Sequence, residues 1–365
     1  MGKKQEKEKK KKRIGKRLLY CLCVLPVILL LALALFLGAG FLGKMRLKSN
    51  APKRPEMASM APESADESQE VRWQEGWIKY QDNIYAYNED ILTFLVMGID
   101  KLDTVVQEAE DETDGGQADA LFLVALNPHK KTIDIIGINR NTMADIDIYD
   151  EQGNCVDTVR AQIAVQHGFG DGREKSCEYQ KEAVSRLFYR LPIHGYAAIN
   201  MSAISVMNDA IGGVDLVVLE DMTVLDPGLK EGEQVHLEGL WAYWYLQYRD
   251  TSIFASSDGR FRRQKQYLTA FINKAREAVK QDISTVAALY QAAAPMMVTD
   301  VSLDEALYLA SLAIGYQVGE DSFHMLLGET VQGENFEECY IDEEALYELI
   351  LEIFYEPVAE SEAGS

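Results

Sequence analysis

The chain has 365 residues, of which 47% are hydrophobic types and 26% charged, with 26 Gly and 9 Pro. That composition excludes disordered, collagen-like and disulfide-stapled classes and leaves room for a substantial core. The net charge is −22, but residues 1–17 hold ten Lys/Arg against Glu6 and Glu8, a net of +8, so the remaining residues carry −30. So acidic a body repels phosphate backbones, and no nucleic-acid partner is expected.

Residues 18–43 contain no charge, long enough for a helix to cross the hydrocarbon core, which takes about 20 residues. The run exceeds the apolar core of a secretory signal and ends in Gly38-Ala39-Gly40-Phe41-Leu42-Gly43-Lys44, which reads as an uncleaved anchor. The richer positive charge of 1–17 places that tail in the cytoplasm, in contact with membrane lipids, and everything after about 44 outside. Residues 44–90 read as a spacer punctuated by Pro52, Pro55 and Pro62, then a short docking helix over 71–90 built on Trp73, Trp77, Tyr80, Ile84, Tyr85 and Tyr87.

A domain over 91–355 follows. Apolar runs at 91–97, 120–126 and 132–138, each bounded by turn residues, predict strands buried on both faces. Helical spacing then appears over 176–191, 202–211, 240–248, 260–280, 283–294, 303–314 and 342–354, with further strands at 214–219 and 323–327. Alternating elements of this kind predict an α/β fold, a three-layer α-β-α sandwich with a mixed central sheet, preceded by one N-terminal transmembrane helix. Residues 356–365 read as a flexible acidic tail.

Of five cysteines, Cys21 and Cys23 fall in the apolar run; Cys155, Cys177 and Cys339 lie beyond it, leaving one bridge (Cys155–Cys177) or three buried thiols open. The five histidines are far apart with no metal-ligand spacing.

Three clusters carry chemistry. Asp100 follows one buried strand and Asp119 opens the next, so two carboxylates can share a hard cation, Mg2+ or Mn2+. Arg140 ends the third strand within Ile138-Asn139-Arg140-Asn141-Thr142. Tyr248-Arg249 precedes Asp258-Gly259, after which Arg260, Arg263 and Gln264 share one helix face at i, i+3 and i+4. Guanidinium forks near a helix N-terminus suit phosphate, so the clusters together point to pyrophosphate with metal.

The order Leu95-Val96-Met97-Gly98-Ile99-Asp100, Ala118-Asp119-Ala120-Leu121, Asn139-Arg140-Asn141-Thr142, Asn208-Asp209-Ala210-Ile211-Gly212-Gly213-Val214-Asp215, Leu237-Glu238-Gly239 and Asp258-Gly259-Arg260 through Gln264 resembles the LytR-CpsA-Psr (LCP) family. The resemblance implies an extracytoplasmic phosphotransferase that moves a glycopolymer from a polyprenyl-pyrophosphate carrier to a peptidoglycan acceptor during cell-wall assembly. It places Asp100 and Asp119 at the metal, Arg140 on pyrophosphate as a catalytic residue, and Arg249, Arg260, Arg263 and Gln264 on the remaining head-group contacts, with an apolar interior for the isoprenoid tail. The chain departs from the family pattern at Gln117 and Gln247, where Arg is usual, and at Asn139 and Asn141, where Pro and Asp are usual. Those departures leave a second reading, a catalytically impaired homologue that binds polyprenyl-phosphate lipids or regulates envelope assembly without turnover. A transcription-regulator reading, a label the family has carried, conflicts with an acidic extracytoplasmic domain. The arginines are expected to converge near Asp100 and Asp119 at the mouth of an elongated apolar cavity, with Gln117 and Gln247 donating into the same space.

Overall fold

The computed structural model describes residues 54–58, 74–103, 106, 115–150, 152–248 and 256–359. The basic tail, the 18–43 run and Arg249 lie outside the described residues, and no helix among those described is long and apolar enough to cross a membrane. The strands are β1 (Trp77–Tyr80), β2 (Asn83–Tyr87), β3 (Leu92–Ile99), β4 (Ala118–Asn127), β5 (Thr132–Ile138), β6 (Met143–Tyr149), β7 (Cys155–Gln162), β8 (Gly195–Asn200), β9 (Val214–Val217), β10 (Gln234–Leu237), β11 (Met297–Thr299), β12 (Phe323–Met325), β13 (Gly328–Gln332), β14 (Glu337–Ile341) and β15 (Tyr355–Pro357). The helices are α1 (Glu174–Leu187), α2 (Ala203–Ala210), α3 (Leu240–Gln247), α4 (Ser256–Gln281), α5 (Ser284–Ala293), α6 (Leu303–Ala313) and α7 (Glu343–Phe354).

Six strands form the central sheet in the order β11-β8-β3-β4-β5-β12. It is mixed: β3 runs antiparallel to β4 and parallel to β8, and β5 runs antiparallel to β4 and parallel to β12. The apolar runs form its centre because both faces of β3, β4 and β5 are covered, so hydrophobic residues are needed at successive positions rather than alternate ones. On one face Leu95, Met97, Leu121, Leu123 and Ile136 pack with Cys177 and Val184 of α1 and Ile350 and Phe354 of α7. On the other, Phe94, Phe122 and Ile135 pack with Phe261, Leu268 and Ile272 of α4 and Leu309 and Leu312 of α6. A satellite core joins Val214 and Leu216 of β9 to Ala242, Tyr245 and Leu246 of α3 and Tyr267 of α4.

The docking helix expected over 71–90 is a hairpin. β1 pairs with β2, and β2 pairs with β15 at the far end of the chain. Trp77 and Tyr80 lie on β1 and Ile84, Tyr85 and Tyr87 on β2, two extended segments whose connecting turn puts Gln81 at φ 52°, while Trp73 lies outside the described residues. Glu356 and Pro357 therefore belong to a sheet, not to a flexible tail. Cys155, Cys177 and Cys339 are all free thiols; Cys155 is exposed, so neither the bridge nor three buried thiols describes them. Helix α4 begins at Ser256, a full turn before Arg260, which leaves that arginine inside the helix instead of at its N-terminus.

Candidate functional site

The antiparallel register pairs Ile99 with Ala118 across a bulge at Gly98/Ile99, so Asp100 and Asp119 emerge at the same end of the sheet. The segment between them is tied to itself: Asp100 N–H and Asp119 N–H both donate to the Gln117 carbonyl, 3.1 Å each, and Gln117 N–H donates to Asp100 Oδ1 at 2.7 Å. Buried His167 fixes this segment from below, its Nδ1 3.1 Å from the carbonyls of Gly115 and Gly116. Burial pulls the His167 pKa down, so the ring sits there neutral with the Nδ1 hydrogen on the carbonyls. Sequence spacing gave His167 no role because its partners are main-chain carbonyls about fifty residues away.

Arg140 reaches the same place from the end of β5. Its guanidinium donates to Asp119 Oδ1 and to Gln117 Oε1. Its own backbone is held by Ala164 N–H, which donates to the Arg140 carbonyl at 3.2 Å. Nε of Arg140 is buried and has no acceptor. Arg260 approaches Asp119 from α4, with Nη1 3.7 Å from Oδ2. Asp119 is thus embraced by two guanidinium groups, yet burial, reinforced by the charge of Asp100, raises its carboxyl above the ordinary value despite both arginines.

Below this polar group lies a cavity of about 430 Å3 between the sheet face and helices α2, α4 and α6. Its walls are apolar (Val96, Phe122, Val124, Ile135, Met207, Leu268, Phe271, Ile272, Leu309, Ala310), and Asp119, Gln247, Arg260 and Gln264 supply its polar residues. Gly137 on β5 admits the Phe261 ring beside this wall: a Cβ there would overlap the ring, which sits 5.9 Å from that of Phe122.

The expected residues separate into two groups. Asp100, Gln117, Asp119, Arg140 and Arg260 form one cluster, and Gln247 and Gln264 share the cavity with Asp119 and Arg260. Arg263 does not join them. It is 2% exposed, donates through Nε to the Tyr245 carbonyl at 2.9 Å, bonds the Tyr248 carbonyl, and pairs with Glu220. Of the expected convergence of three arginines, the described residues supply two, because Arg263 is spent on the C-terminal carbonyls of α3. Gln117 serves as acceptor to Arg140 through its side chain, not as a donor into the cavity. Asn141 is buried in a link to β14, donating to Glu337 at 3.2 Å and accepting from Gln162 at 3.0 Å.

Among the described residues no three His, Cys, Asp or Glu side chains group to hold a metal. Asp100 and Asp119 would supply two hard oxygen donors to an Mg2+ whose shell phosphate oxygens and waters complete. Burial, not a want of positive charge, raises the Asp119 carboxyl, because Arg140 and Arg260 already face it.

A family model described as the LytR_cpsA_psr family matches residues 56–346. The chain belongs to this family. Among relatives, the polyisoprenyl-teichoic acid–peptidoglycan teichoic acid transferase TagV of Bacillus subtilis (strain 168) is 24% identical over 298 residues, spanning 80% of this chain and 67% of that protein. The transferase TagU of Enterococcus faecalis (strain ATCC 700802 / V583) is 23% identical over 252 residues, 68% of this chain and 72% of its own length. Solved structures share the fold of this chain. The crystal structure of B. subtilis TagV aligns with a TM-score of 0.54 at 21% identity, covering 72% of this chain and 95% of that one. A structure of TagT bound to LI-WTA aligns at 0.53 and 19% identity, covering 76% and 92%.

Proposed function

We propose that this LytR_cpsA_psr protein is a membrane-anchored, extracytoplasmic phosphotransferase that moves a glycopolymer from a polyprenyl-pyrophosphate carrier to peptidoglycan. The observation that carries the reading is that an apolar cavity of about 430 Å3 shares Asp119 and Arg260 with a cluster of two arginines and two carboxylates. A polyprenyl chain is apolar and its pyrophosphate anionic, so a single ligand satisfies both halves of the site. Arg260 and Gln264 line the cavity beside Asp119, where they would meet a head group, and the buried Arg140 Nε carries a hydrogen with no acceptor.

In the reaction, a sugar hydroxyl of peptidoglycan attacks the glycan-bearing phosphorus. A new O–P bond forms, the bridging P–O bond breaks, polyprenyl phosphate leaves with the electron pair, and the hydroxyl proton passes to a carboxylate of the Asp100–Asp119 pair. Arg140 and Arg260 align the pyrophosphate and offset its charge, the main demand that phosphoryl transfer makes of a protein. A bound Mg2+ would be held by Asp100 and Asp119 and would neutralise charge on phosphate oxygens. The residues 18–43 supply the anchor in this account, with the domain outside the cytoplasm.

A second reading, carrier binding without turnover, draws on one observation: Arg140 is already committed to Asp119 and Gln117 through its terminal nitrogens. The two readings separate in one assay. Full chain is incubated with Mg2+, lipid-pyrophosphate-linked glycan labelled in the glycan, and peptidoglycan. Label transferred to the peptidoglycan, with equimolar polyprenyl phosphate, supports the transferase. Tight carrier binding with no transfer supports the second reading.

A further inference from the structure

Helix α3, Leu-Trp-Ala-Tyr-Trp-Tyr-Leu-Gln, contains no charged residue. Its inner face, Ala242, Tyr245 and Leu246, is buried in the satellite core. Its outer face should therefore be polar, and it is not: Leu240 is 63% exposed, and Trp241 and Trp244 are each 43% exposed. Leu240, Trp244 and Gln247 follow one another at i, i+4 and i+7, a single row along the helix. The row ends at the cavity, because Gln247 lines it. An exposed apolar stripe thus leads directly to the cavity that the proposed function assigns to a lipid tail.

We infer that α3 docks on the bilayer surface, inserting Leu240, Trp241 and Trp244 at the interface and bringing the cavity to the level where a polyprenyl tail can pass from membrane to protein. The inference rests on the carrier-binding reading above. Three observations select the membrane as occupant. Indole rings with a nearby aliphatic side chain suit the interfacial layer, where an apolar body and a polar N–H are both accommodated. The absence of Lys and Arg from the helix makes the contact apolar and not an attraction to anionic head groups, which a body of such negative charge would resist. The chain between the apolar run ending at Gly43 and Arg54, which is tied to the domain through Glu89, spans about 36 Å at most when extended, at about 3.3 Å per residue, so the domain stays within reach of the bilayer.

The test uses the full chain reconstituted into phosphatidylcholine vesicles with and without nitroxide-labelled acyl chains. Tryptophan fluorescence should be quenched by the labelled lipid in the wild type and in Trp73→Phe/Trp77→Phe, and most of the quenching should vanish in Trp241→Gln/Trp244→Gln. The effect should persist at high salt, unlike an electrostatic contact. Quenching that stays unchanged in Trp241→Gln/Trp244→Gln overturns the inference. So does protection of these two tryptophans by soluble muropeptides in place of lipid, which would make the stripe a glycan platform. Polyprenyl-pyrophosphate binding measured in detergent separates the two proposals: binding without bilayer quenching leaves the site intact and removes only the docking. The same assay shows whether the double variant is folded.

Discussion

Arg140 and Asp119, 21 residues apart in sequence, form an ion pair at the end of the central sheet, and the same Asp119 carboxylate lies 3.7 Å from Arg260 on a helix from a third segment. The pair has two consequences: it sets the charge of the proposed head-group site, and it couples β4 to β5 where the cavity becomes polar. Replacing Arg140 with Ala should weaken polyprenyl-pyrophosphate binding by about 1.5–3 kcal/mol, the range for hydrogen bonds to charged groups. Titration calorimetry checks it; affinity within twofold of wild type would remove Arg140 from the head-group contacts.

The cavity wall gives a second prediction. Ala310 lines it from α6, opposite the sheet. Ala310→Phe should fill space used by the tail, displacing about three methylenes and costing carrier affinity about 2.4 kcal/mol at ~0.8 kcal/mol per CH2. Inorganic pyrophosphate should bind the variant as it binds wild type. Equal losses for both ligands would show that the substitution disturbs the head-group site.

Arg263 should behave as a structural residue. Its bonds to the Tyr245 and Tyr248 carbonyls secure the end of α3, the helix that brings Gln247 to the cavity. Arg263→Ala should lower folding stability by about 1–3 kcal/mol, the cost of leaving buried acceptors unsatisfied. Chemical denaturation measures this, and an unchanged midpoint together with lost carrier binding would return Arg263 to the head-group contacts.

Asp147 supplies a pH prediction away from the site. Hydrogen bonds from Arg186 hold its carboxyl below the ordinary value, with Thr158 adding to the shift, and together they tie the β6–β7 hairpin to α1. A depressed folded-state pKa means stability that is fully present above the unfolded value, about 3.9, and lost as pH falls through the lower folded one. Asp147→Asn should therefore be less stable than wild type by about 1.5–3 kcal/mol at neutral pH, with the gap narrowing as pH drops below about 4. A gap independent of pH would mean that packing, not charge, holds the hairpin.

The central strands and the site's framework were legible because burial on both faces writes itself as unbroken apolar runs, and strand ends then place Asp100, Asp119 and Arg140 at one edge. The hairpin β6–β7 escaped because β7 is largely exposed along its length and alternates with no apolar face. The hairpin of β1 and β2 was read as a helix because aromatics are spaced ambiguously until the partner strand is known. Arg263 shows the other boundary. Helix spacing puts Arg260, Arg263 and Gln264 on one face, but not which of them a neighbouring helix will claim; the carbonyls of α3 decide that, and they carry no sequence signature. Asn141, a departure from the family pattern, is a buried link to β14 whose partner Glu337 lies 196 positions away.

The most direct measurement compares polyprenyl pyrophosphate, polyprenyl alcohol and inorganic pyrophosphate as ligands of the full chain, in wild type and in Arg260→Ala. A site in which an apolar cavity opens onto an arginine–carboxylate cluster predicts that the lipid pyrophosphate binds far more tightly than either half alone, and that Arg260→Ala lowers its affinity while leaving the alcohol's unchanged. Equal affinity for lipid pyrophosphate and lipid alcohol, insensitive to Arg260, would contradict the account.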